Sequence, residues 1–305
     1  MKNSFFKFII YYFLVFGFSY SSVLLENDWK KREIKGKVKE MSETIYKYGF
    51  SGNDNIVKRI KTYFNQEGYI TKEIHYHNEK INYILDYEYD QEGKLIQSND
   101  YTGEVFTHEY TIDKNDNLVE TKKEKKKKAT NAHEKIEINL YSKDGKLIRS
   151  KHYNKTIYKT LRPTIKVKGR GTFELLSDYS FEYNVQGKRI KMIDNTHPDS
   201  TVNYTYENQE NGKIKKTVSR PGQIDITIYD QKGREEEYYW ITRPSAQMEP
   251  VFQLMLFYDT KYDEVGNLIE RIANRVEWST EDPSNNEYIH KGIFEKIKIQ
   301  YQYYE

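Results

Sequence analysis

The stretch Tyr89-Asp90-Gln91-Glu92-Gly93-Lys94-Leu95-Ile96 is the unit from which this chain is built. Asp90 can accept hydrogen bonds from the backbone ahead of it, and Gly93 can take a positive φ without strain, so this pair predicts a tight turn. Strand-forming residues stand on both sides of the turn. The stretch is therefore predicted to be the tip of a β-hairpin with a loop of three to five residues.

The same turn recurs along the chain. An aromatic residue followed four positions later by glycine occurs as Phe64 with Gly68, Tyr89 with Gly93, Tyr141 with Gly145, Tyr183 with Gly187, Tyr229 with Gly233 and Tyr262 with Gly266, and Tyr206 with Gly212 is a version stretched by two residues. After Ile112, Asp116 stands in the place of the glycine. Where the repeat is regular its interval is 23 residues, which accommodates two strands of about seven or eight residues and two turns. Each repeat is thus predicted to be one hairpin.

Apolar residues alternate with polar ones upstream of the turns. Ile81, Tyr83, Leu85, Tyr87 and Tyr89 occupy alternate positions, as expected for a strand with one buried face, and the repeat tyrosine then lies on the packed side. The same period appears in 136–140, 179–183, 202–206, 224–228 and 297–303. In 251–258 both alternate sets are apolar, which predicts a strand covered on both faces.

Irregular intervals indicate insertions between the hairpins. Loops are predicted at 122–133, 166–171, 243–250 and 279–286, which are rich in Pro, Gly, Ser or charge. The 42 residues from Tyr141 to Tyr183 match two units with a degraded middle turn. Residues 29–50 are interpreted as a first hairpin or a capping strand, with a short helix as the alternative.

These patterns predict an all-β fold, an elongated antiparallel β-sheet of consecutive hairpins forming an open meander or partial spiral, with little or no helix after residue 21. Only 37% of the sequence is hydrophobic and 31% is charged, while 29 tyrosines supply apolar rings with polar tips, so a thin sheet is favoured over a deep core. An open row of hairpins leaves edge strands, and the tail 297–303 is expected to be free to pair with a partner.

The first residues are typical of a secretory signal. Lys2 and Lys7 precede an apolar run at 8–18 and the small residues of Ser19-Tyr20-Ser21. The run is shorter than the roughly 20 residues of a membrane-spanning helix. We therefore predict a signal peptide at 1–21 and a single elongated β-repeat domain at 22–305, exported to the periplasm, cell surface or medium, with no stable membrane span after cleavage. A retained anchor is the alternative.

The amino-acid composition limits the cross-links, anchors and partners that the chain can have. The chain has no cysteine, which excludes disulfides and a lipoprotein anchor. Without Lys2 and Lys7 the 49 basic residues fall to 47 against 46 acidic ones, and the lysine cluster at 122–128 has no interleaved aromatic residue, so no nucleic-acid partner is predicted. The abundance of Asn, Lys, Ile and Tyr suits an AT-rich bacterial genome.

The residues Tyr262-Asp263-Glu264-Val265-Gly266-Asn267-Leu268-Ile269 resemble the YD repeat of the bacterial Rhs family, and the stretches at 89–96 and 141–148 match nearly as well. Similar Tyr-x-x-x-Gly-Lys hairpins occur in MORN-like repeat proteins. The resemblance implies spiralling β-sheets that form a shell, a link to carbohydrate binding and, in Rhs toxins, an enclosed toxic domain. This chain has too few repeats for such a shell and ends in another alternating strand, so a carried toxin is not expected.

No catalytic motif is present, so neither a cofactor nor a metal site is predicted. Asp225, Asp230 and the carboxylates at 235–237 are interpreted as turn and surface residues, with a polysaccharide hydrolase as the alternative. His75 and His77 would face the same side of a strand, and His108 would have to join them to bind a metal.

Aromatic side chains give the best functional lead. Tyr238, Tyr239 and Trp240, with Trp278 in the following unit, are candidate ligand-binding residues on which sugar rings can stack, although core packing also explains them. We therefore expect a non-catalytic exported bacterial protein that binds envelope or extracellular carbohydrate or a protein partner. A toxin-associated shell or immunity protein is a second alternative.

Overall fold

The computed structural model describes residues 26–48, 54–125, 133–156, 172–242, 251–278 and 288–305. They form one antiparallel sheet of 18 strands. The strands are β1 Val38–Tyr48, β2 Asp54–Phe64, β3 Ile70–His77, β4 Lys80–Tyr89, β5 Leu95–Asn99, β6 Val105–Ile112, β7 Leu118–Glu124, β8 His133–Tyr141, β9 Leu147–Thr156, β10 Thr172–Tyr183, β11 Arg189–Asp194, β12 Val202–Asn208, β13 Ile214–Arg220, β14 Gln223–Tyr229, β15 Glu235–Thr242, β16 Val251–Tyr262, β17 Leu268–Trp278 and β18 Tyr288–Tyr303. The described helices are α1 (Asp28–Lys31) and a 3-10 turn, Pro198–Ser200.

The sheet closes into a barrel. Each strand pairs with its neighbours along the chain, and β18 also pairs with β1, with Met41 opposite Tyr301 and Ile45 opposite Ile297. The prediction of an open meander or partial spiral is therefore wrong, and the tail predicted to be a free edge is paired on both sides. An open row would leave two rows of unpaired backbone groups, whereas strand tilt and stagger over 18 strands bring these edges together. The all-β class itself is correct.

The repeat turns all lie at one end of the barrel, here called the turn end. They are residues 65–69, 90–94, 113–117, 142–146, 184–188, 209–213, 230–234 and 263–267. In each, the first residue's N–H bonds to the fifth residue's carbonyl and the fourth residue's N–H bonds back to the first, as in Asp90 to Lys94 (2.9 Å) and Gly93 to Asp90 (3.1 Å). Gly93 has a φ of 78°, and Asp116 takes the same left-handed conformation at 61°.

Three details differ from the predicted repeat. Asn208 holds the aromatic position of its turn, so the Tyr206 unit is not stretched. Strand β9 pairs directly with β10, so the long interval between Tyr141 and Tyr183 is one unit with a longer connection. Lys122 and Lys123 belong to β7, while most of the predicted loops lie outside the described residues. The end of the barrel opposite the turn end is here called the loop end.

Part of the outer face of the barrel is charged. Directly paired residues lie on the same face, and cross-strand ion pairs on this face include Lys61 with Glu40 (3.1 Å), Lys123 with Glu109 (2.6 Å) and Lys215 with Glu207 (3.4 Å). On β14 and β15 the same face is apolar, with Ile224 opposite Ile241 and Ile226 opposite Tyr239. None of the helices in the described part of the chain is long and apolar enough to cross a membrane.

The inner face carries the repeat tyrosines, as predicted, together with a short N-terminal segment. Residues 26–37, here called the strap, lie against the inner face at the turn end. A small core forms where Trp29 of the strap packs beside Val38, Met41, Phe64 and Ile70. Strand β16 is covered on both faces, as predicted, because the successive residues Met255 and Leu256 are both buried. Barrels of about this strand number enclose a wide lumen, so ligand chemistry is best sought on the inner face.

Candidate functional site

Two of the predicted aromatic residues lie together on the inner face, near the loop end. Tyr238 and Trp240 alternate along β15 and pair with Thr227 and Asp225 of β14. The Tyr238 hydroxyl donates a hydrogen bond of 2.7 Å to Asp225 Oδ1. The other carboxylate oxygen, Asp225 Oδ2, accepts a hydrogen bond of 2.7 Å from Arg220 Nη2. We call Arg220, Gln223, Asp225, Tyr238 and Trp240 the Trp240 patch.

The polar groups of the Trp240 patch hold one another in place. Asp225 is buried, and Gln223 Nε2 also donates to its carboxylate at 3.1 Å. Burial, followed by the hydrogen bond to Asp225, raises the pKa of Tyr238 well above its usual value, so the phenol stays protonated and donates. Trp240 is 37% exposed. Its indole is therefore open to a ligand.

The predicted aromatic cluster does not form one surface. Tyr239 points to the outer face, where its hydroxyl donates to Glu237. Trp278 ends β17 and pairs through its backbone with Tyr288, but its side chain lies outside the described residues. The alternation of β15 separates Tyr239 from its neighbours, because successive side chains of a strand face opposite sides.

The carboxylates proposed for hydrolysis do not converge. Asp225 and Asp230 lie at opposite ends of β14, and Asp230 is held in its turn by Arg234. Glu235 pairs with Arg271 at 2.8 Å. Because Glu237 faces outward, these acids offer no facing pair around a common cleft, which a glycosidase requires.

A buried polar ladder crosses the inner face from β5 to β9. Ser98 Oγ lies 2.8 Å from His108 Nε2, and His108 Nδ1 lies 2.8 Å from Glu120 Oε1. Asn139 Nδ2 donates to Glu120 at 3.2 Å, and Ser150 donates to Asn139 at 2.7 Å. The first three residues have the hydrogen-bond order of a serine-histidine-acid triad.

The ladder lacks an oxyanion hole, which a serine-histidine-acid site needs beside its triad. Strand β5 pairs on both sides, so the backbone N–H groups around Ser98 point along the sheet into the ladder of strand hydrogen bonds. None is left to form an oxyanion hole, which acyl transfer needs. Burial would raise the pKa of Glu120, but hydrogen bonds from His108 and Tyr141 outweigh it and lower the pKa. The ladder is best explained as a buried network that fixes the pairing of its strands.

The histidines considered for metal binding are separate. His75 stacks on Tyr83, with ring centroids 4.3 Å apart, and burial lowers its pKa. His108 lies three strands away in the ladder, and His77 is at the exposed end of β3. In the parts of the chain that the structure describes, no three His, Asp or Glu side chains are grouped to hold a metal ion.

A cavity of about 750 Å³ lies beneath the strap at the turn end. Its walls come from the strap, β1, the turn between β14 and β15, and β16 to β18. The lining includes Arg32, Lys35, Glu43, Glu235, Tyr262 and Tyr301. We call it the strap cavity. Neither it nor the ladder was predicted from the sequence, although polar residues at inward alternate positions, such as His108 and Glu120, are a signal for the ladder.

Comparisons with known proteins identify no family. No family model matches the chain, and no curated protein matches it. Among solved structures it is similar to a porin-like protein from Bacteroides uniformis, with 7% identity, a TM-score of 0.35 and coverage of 87% of this chain and 96% of that one. It is also similar to the Tc holotoxin pore of Photorhabdus luminescens, with 10% identity, a TM-score of 0.21 and coverage of 82% of this chain and 15% of that one.

Another similar structure is the TcdB2-TccC3 complex, with 11% identity, a TM-score of 0.21 and coverage of 77% of this chain and 15% of that one. The chain thus spans a small part of the Tc toxin chains. The resemblance to YD repeats rests on the turn motifs alone, and the functional proposal below rests on this chain's own residues.

Proposed function

We propose that this protein is a non-catalytic carbohydrate-binding β-barrel that holds its ligand at the Trp240 patch. The observation that carries the proposal is the open indole of Trp240 on the same inner face as the bonded cluster of Asp225, Tyr238 and Arg220. Sugar rings present apolar faces and hydroxyl edges. A flat aromatic ring beside a few fixed polar groups is the combination that binds them.

Preorganisation of the patch supports binding. The hydrogen bonds from Arg220, Gln223 and Tyr238 fix the Asp225 carboxylate before any ligand arrives. Less side-chain freedom is then lost when a ligand binds, which favours affinity. The remaining N–H groups of the Arg220 guanidinium, whose side chain is 45% exposed, can donate to sugar hydroxyls.

The proposed setting is extracytoplasmic. The apolar leader at 8–18 supports export. In such a compartment the barrel would capture saccharides from the medium or the envelope within its lumen. A protein partner at the same patch is the competing proposal, and the glycan experiment distinguishes the two.

The test is a glycan array followed by calorimetry on residues 22–305. Trp240→Ala should lower affinity for a bound glycan by at least about tenfold, the effect of losing a central aromatic contact. Tyr239→Ala is the matched control, because the neighbouring ring lies on the outer face and its loss should leave affinity unchanged. Circular dichroism checks that both variants keep the sheet. Absence of glycan binding by the wild type, or equal effects of the two variants, would refute the proposal.

A further inference from the structure

The Trp240 patch and the strap cavity share one side of the lumen. Trp240 is near the loop-end terminus of β15, and Glu235, at the turn-end start of the same strand, lines the strap cavity. The five residue steps from Glu235 to Trp240 correspond to roughly 17 Å along an extended strand. Both sites open on the inner face, so a single ligand of sufficient length can reach the two without crossing the barrel wall.

Tyrosine rings cover the interval between the two sites. Tyr238 belongs to the patch, and Tyr258 of β16 lies two residues from Leu256, which pairs with Tyr238. Tyr229 of β14 pairs with Glu235 and so lies at the cavity end of the interval. We call Tyr238, Tyr258 and Tyr229 the tyrosine track. The strand registers place these half-buried rings in the interval between the patch and the cavity, whereas a site for one small sugar would need only one aromatic ring.

Basic side chains stiffen the cavity end of the track. The Arg271 guanidinium lies 5.1 Å from the centroid of the Tyr258 ring and also bonds to Glu235. Arg234 lies 5.3 Å from the centroid of the Tyr262 ring on the cavity wall. These cation–π contacts fix the orientation of the rings and leave guanidinium N–H groups along the path of a hydroxyl-rich ligand.

The strap cavity also presents an unused acceptor. Glu43 points inward from β1, and within the described residues no hydrogen bond reaches its carboxylate; its charged surroundings are Arg32, Lys58, Arg271 and Glu295. Burial raises the pKa of Glu43 and outweighs the lowering effect of the three basic groups. Glu43 is only half-buried, so its carboxylate oxygens can accept further hydrogen bonds. A ligand hydroxyl at this point would supply the donor.

We propose that the ligand is a linear oligosaccharide that lies along the tyrosine track, with one part stacked on Trp240 and another hydrogen-bonded to Glu43 in the strap cavity. This inference rests on the proposed function, since it names the length and path of the ligand for the same lumen. It makes Tyr258 and Glu43 recognition residues for long chains and leaves recognition of short ones to the Trp240 patch.

The test uses malto-, cello- and chito-oligosaccharides of two to six sugar units, titrated into residues 22–305. Affinity for the bound series should rise by about tenfold or more from the disaccharide to the longest chain, since linked contacts add binding free energy. Tyr258→Leu and Glu43→Gln should remove most of that gain and leave disaccharide affinity within about twofold. Tyr63→Leu, which alters a ring on the outer face of β2, is the control and should change neither.

The two proposals fail differently. If none of the three series binds at any length, the extended site is refuted, whereas the carbohydrate function is refuted only if the wild type also binds nothing on the glycan array. If short and long chains bind equally and Tyr258→Leu has no effect, the Trp240 patch remains a binding site but the track is refuted. If Tyr63→Leu removes the length gain as fully as Tyr258→Leu, the gain does not arise in the lumen and the extended site is also refuted.

Discussion

The indole of Trp29 lies directly against Gly68, where an added Cβ atom would come within 2.4 Å of the ring. The same turn holds the strap by its backbone, since the N–H groups of Asp28 and Trp29 donate to the Gly68 carbonyl at 3.0 and 3.2 Å. The glycine therefore serves both its turn and the attachment of the strap. The turn at 65–69 is thus one of the places where the strap is attached to the barrel.

Gly68→Ala should destabilise the barrel more than the same change in an equivalent turn. Both Gly68 and Gly233 have positive φ, so alanine is strained in each, by about 1–2 kcal/mol. Only at Gly68 does the new methyl group meet Trp29; nothing lies within 4 Å at Gly233. The clash should add about 1–3 kcal/mol. Urea unfolding of both variants measures the difference, and equal losses would show that Trp29 moves aside freely.

Asn267→Ala should loosen the other end of the strap. Asn267 is buried, accepts a hydrogen bond of 2.6 Å from the Lys35 N–H and donates one of 2.8 Å to the Lys35 carbonyl. Removing the amide should cost about 1–3 kcal/mol and speed hydrogen exchange at the Lys35 amide. Asn117→Ala, at the same position of another turn, is the control and should leave that exchange unchanged. Protection of the Lys35 amide in Asn267→Ala would contradict the attachment.

Glu120→Ala should be among the most damaging single substitutions on the inner face. Its carboxylate accepts hydrogen bonds from Tyr141 (2.8 Å), Tyr110 (3.2 Å) and the ladder residues described above. Removing it leaves several buried donors without a partner, so we expect a loss of about 3–5 kcal/mol in the free energy of unfolding. Glu88→Ala, on the exposed outer face, should stay within about 0.5 kcal/mol. Similar small effects for both would mean that the ladder does not stabilise the sheet.

Glu270 should contribute to the acid sensitivity of the barrel. Hydrogen bonds from Lys261 (2.6 Å) and Lys296 (2.9 Å) lower the pKa of Glu270 from 4.5 to about 2. A carboxylate whose pKa is lowered by folding stabilises the protein above its unfolded pKa, and this contribution is lost as the pH falls through the folded value. The stability difference between the wild type and Glu270→Gln should thus shrink as the pH falls from 4.5 towards 2. Denaturation at several pH values measures it, and a constant difference would contradict the assignment.

Local features of the fold were predictable because they depend on a few neighbouring residues. Asp90 and Gly93 determine their turn through side-chain acceptance and a positive φ, and the alternation around Tyr83 and Tyr87 assigns the packed face. The same rules located the Asp116 turn without its glycine. The rules failed for the Tyr206 unit, which they predicted to be stretched. They assumed an aromatic residue directly before each turn, and Asn208 occupies that position here.

The candidate site was predictable only in part. The sequence drew attention to residues 238–240, but treated them as one cluster, and strand alternation puts Tyr239 on the other face. The partners of Trp240 came from separate strands, since Asp225 and Arg220 are brought beside it by the registers of β13 to β15. Register between hairpins depends on how whole strands pack together, which a single sequence segment does not encode.

The sequence by itself determined that this protein is a series of antiparallel hairpins with its repeat tyrosines on one face, because turn chemistry and period-two alternation act over a few residues. Only the tertiary structure decided that the row closes. Pairing of β1 with β18 joins residues about 260 positions apart, such as Met41 and Tyr301, and depends on the summed twist, tilt and stagger of all the strands. Closure makes the tyrosine face an interior, places the strap within it and thereby creates the lumen in which we propose that ligand binds.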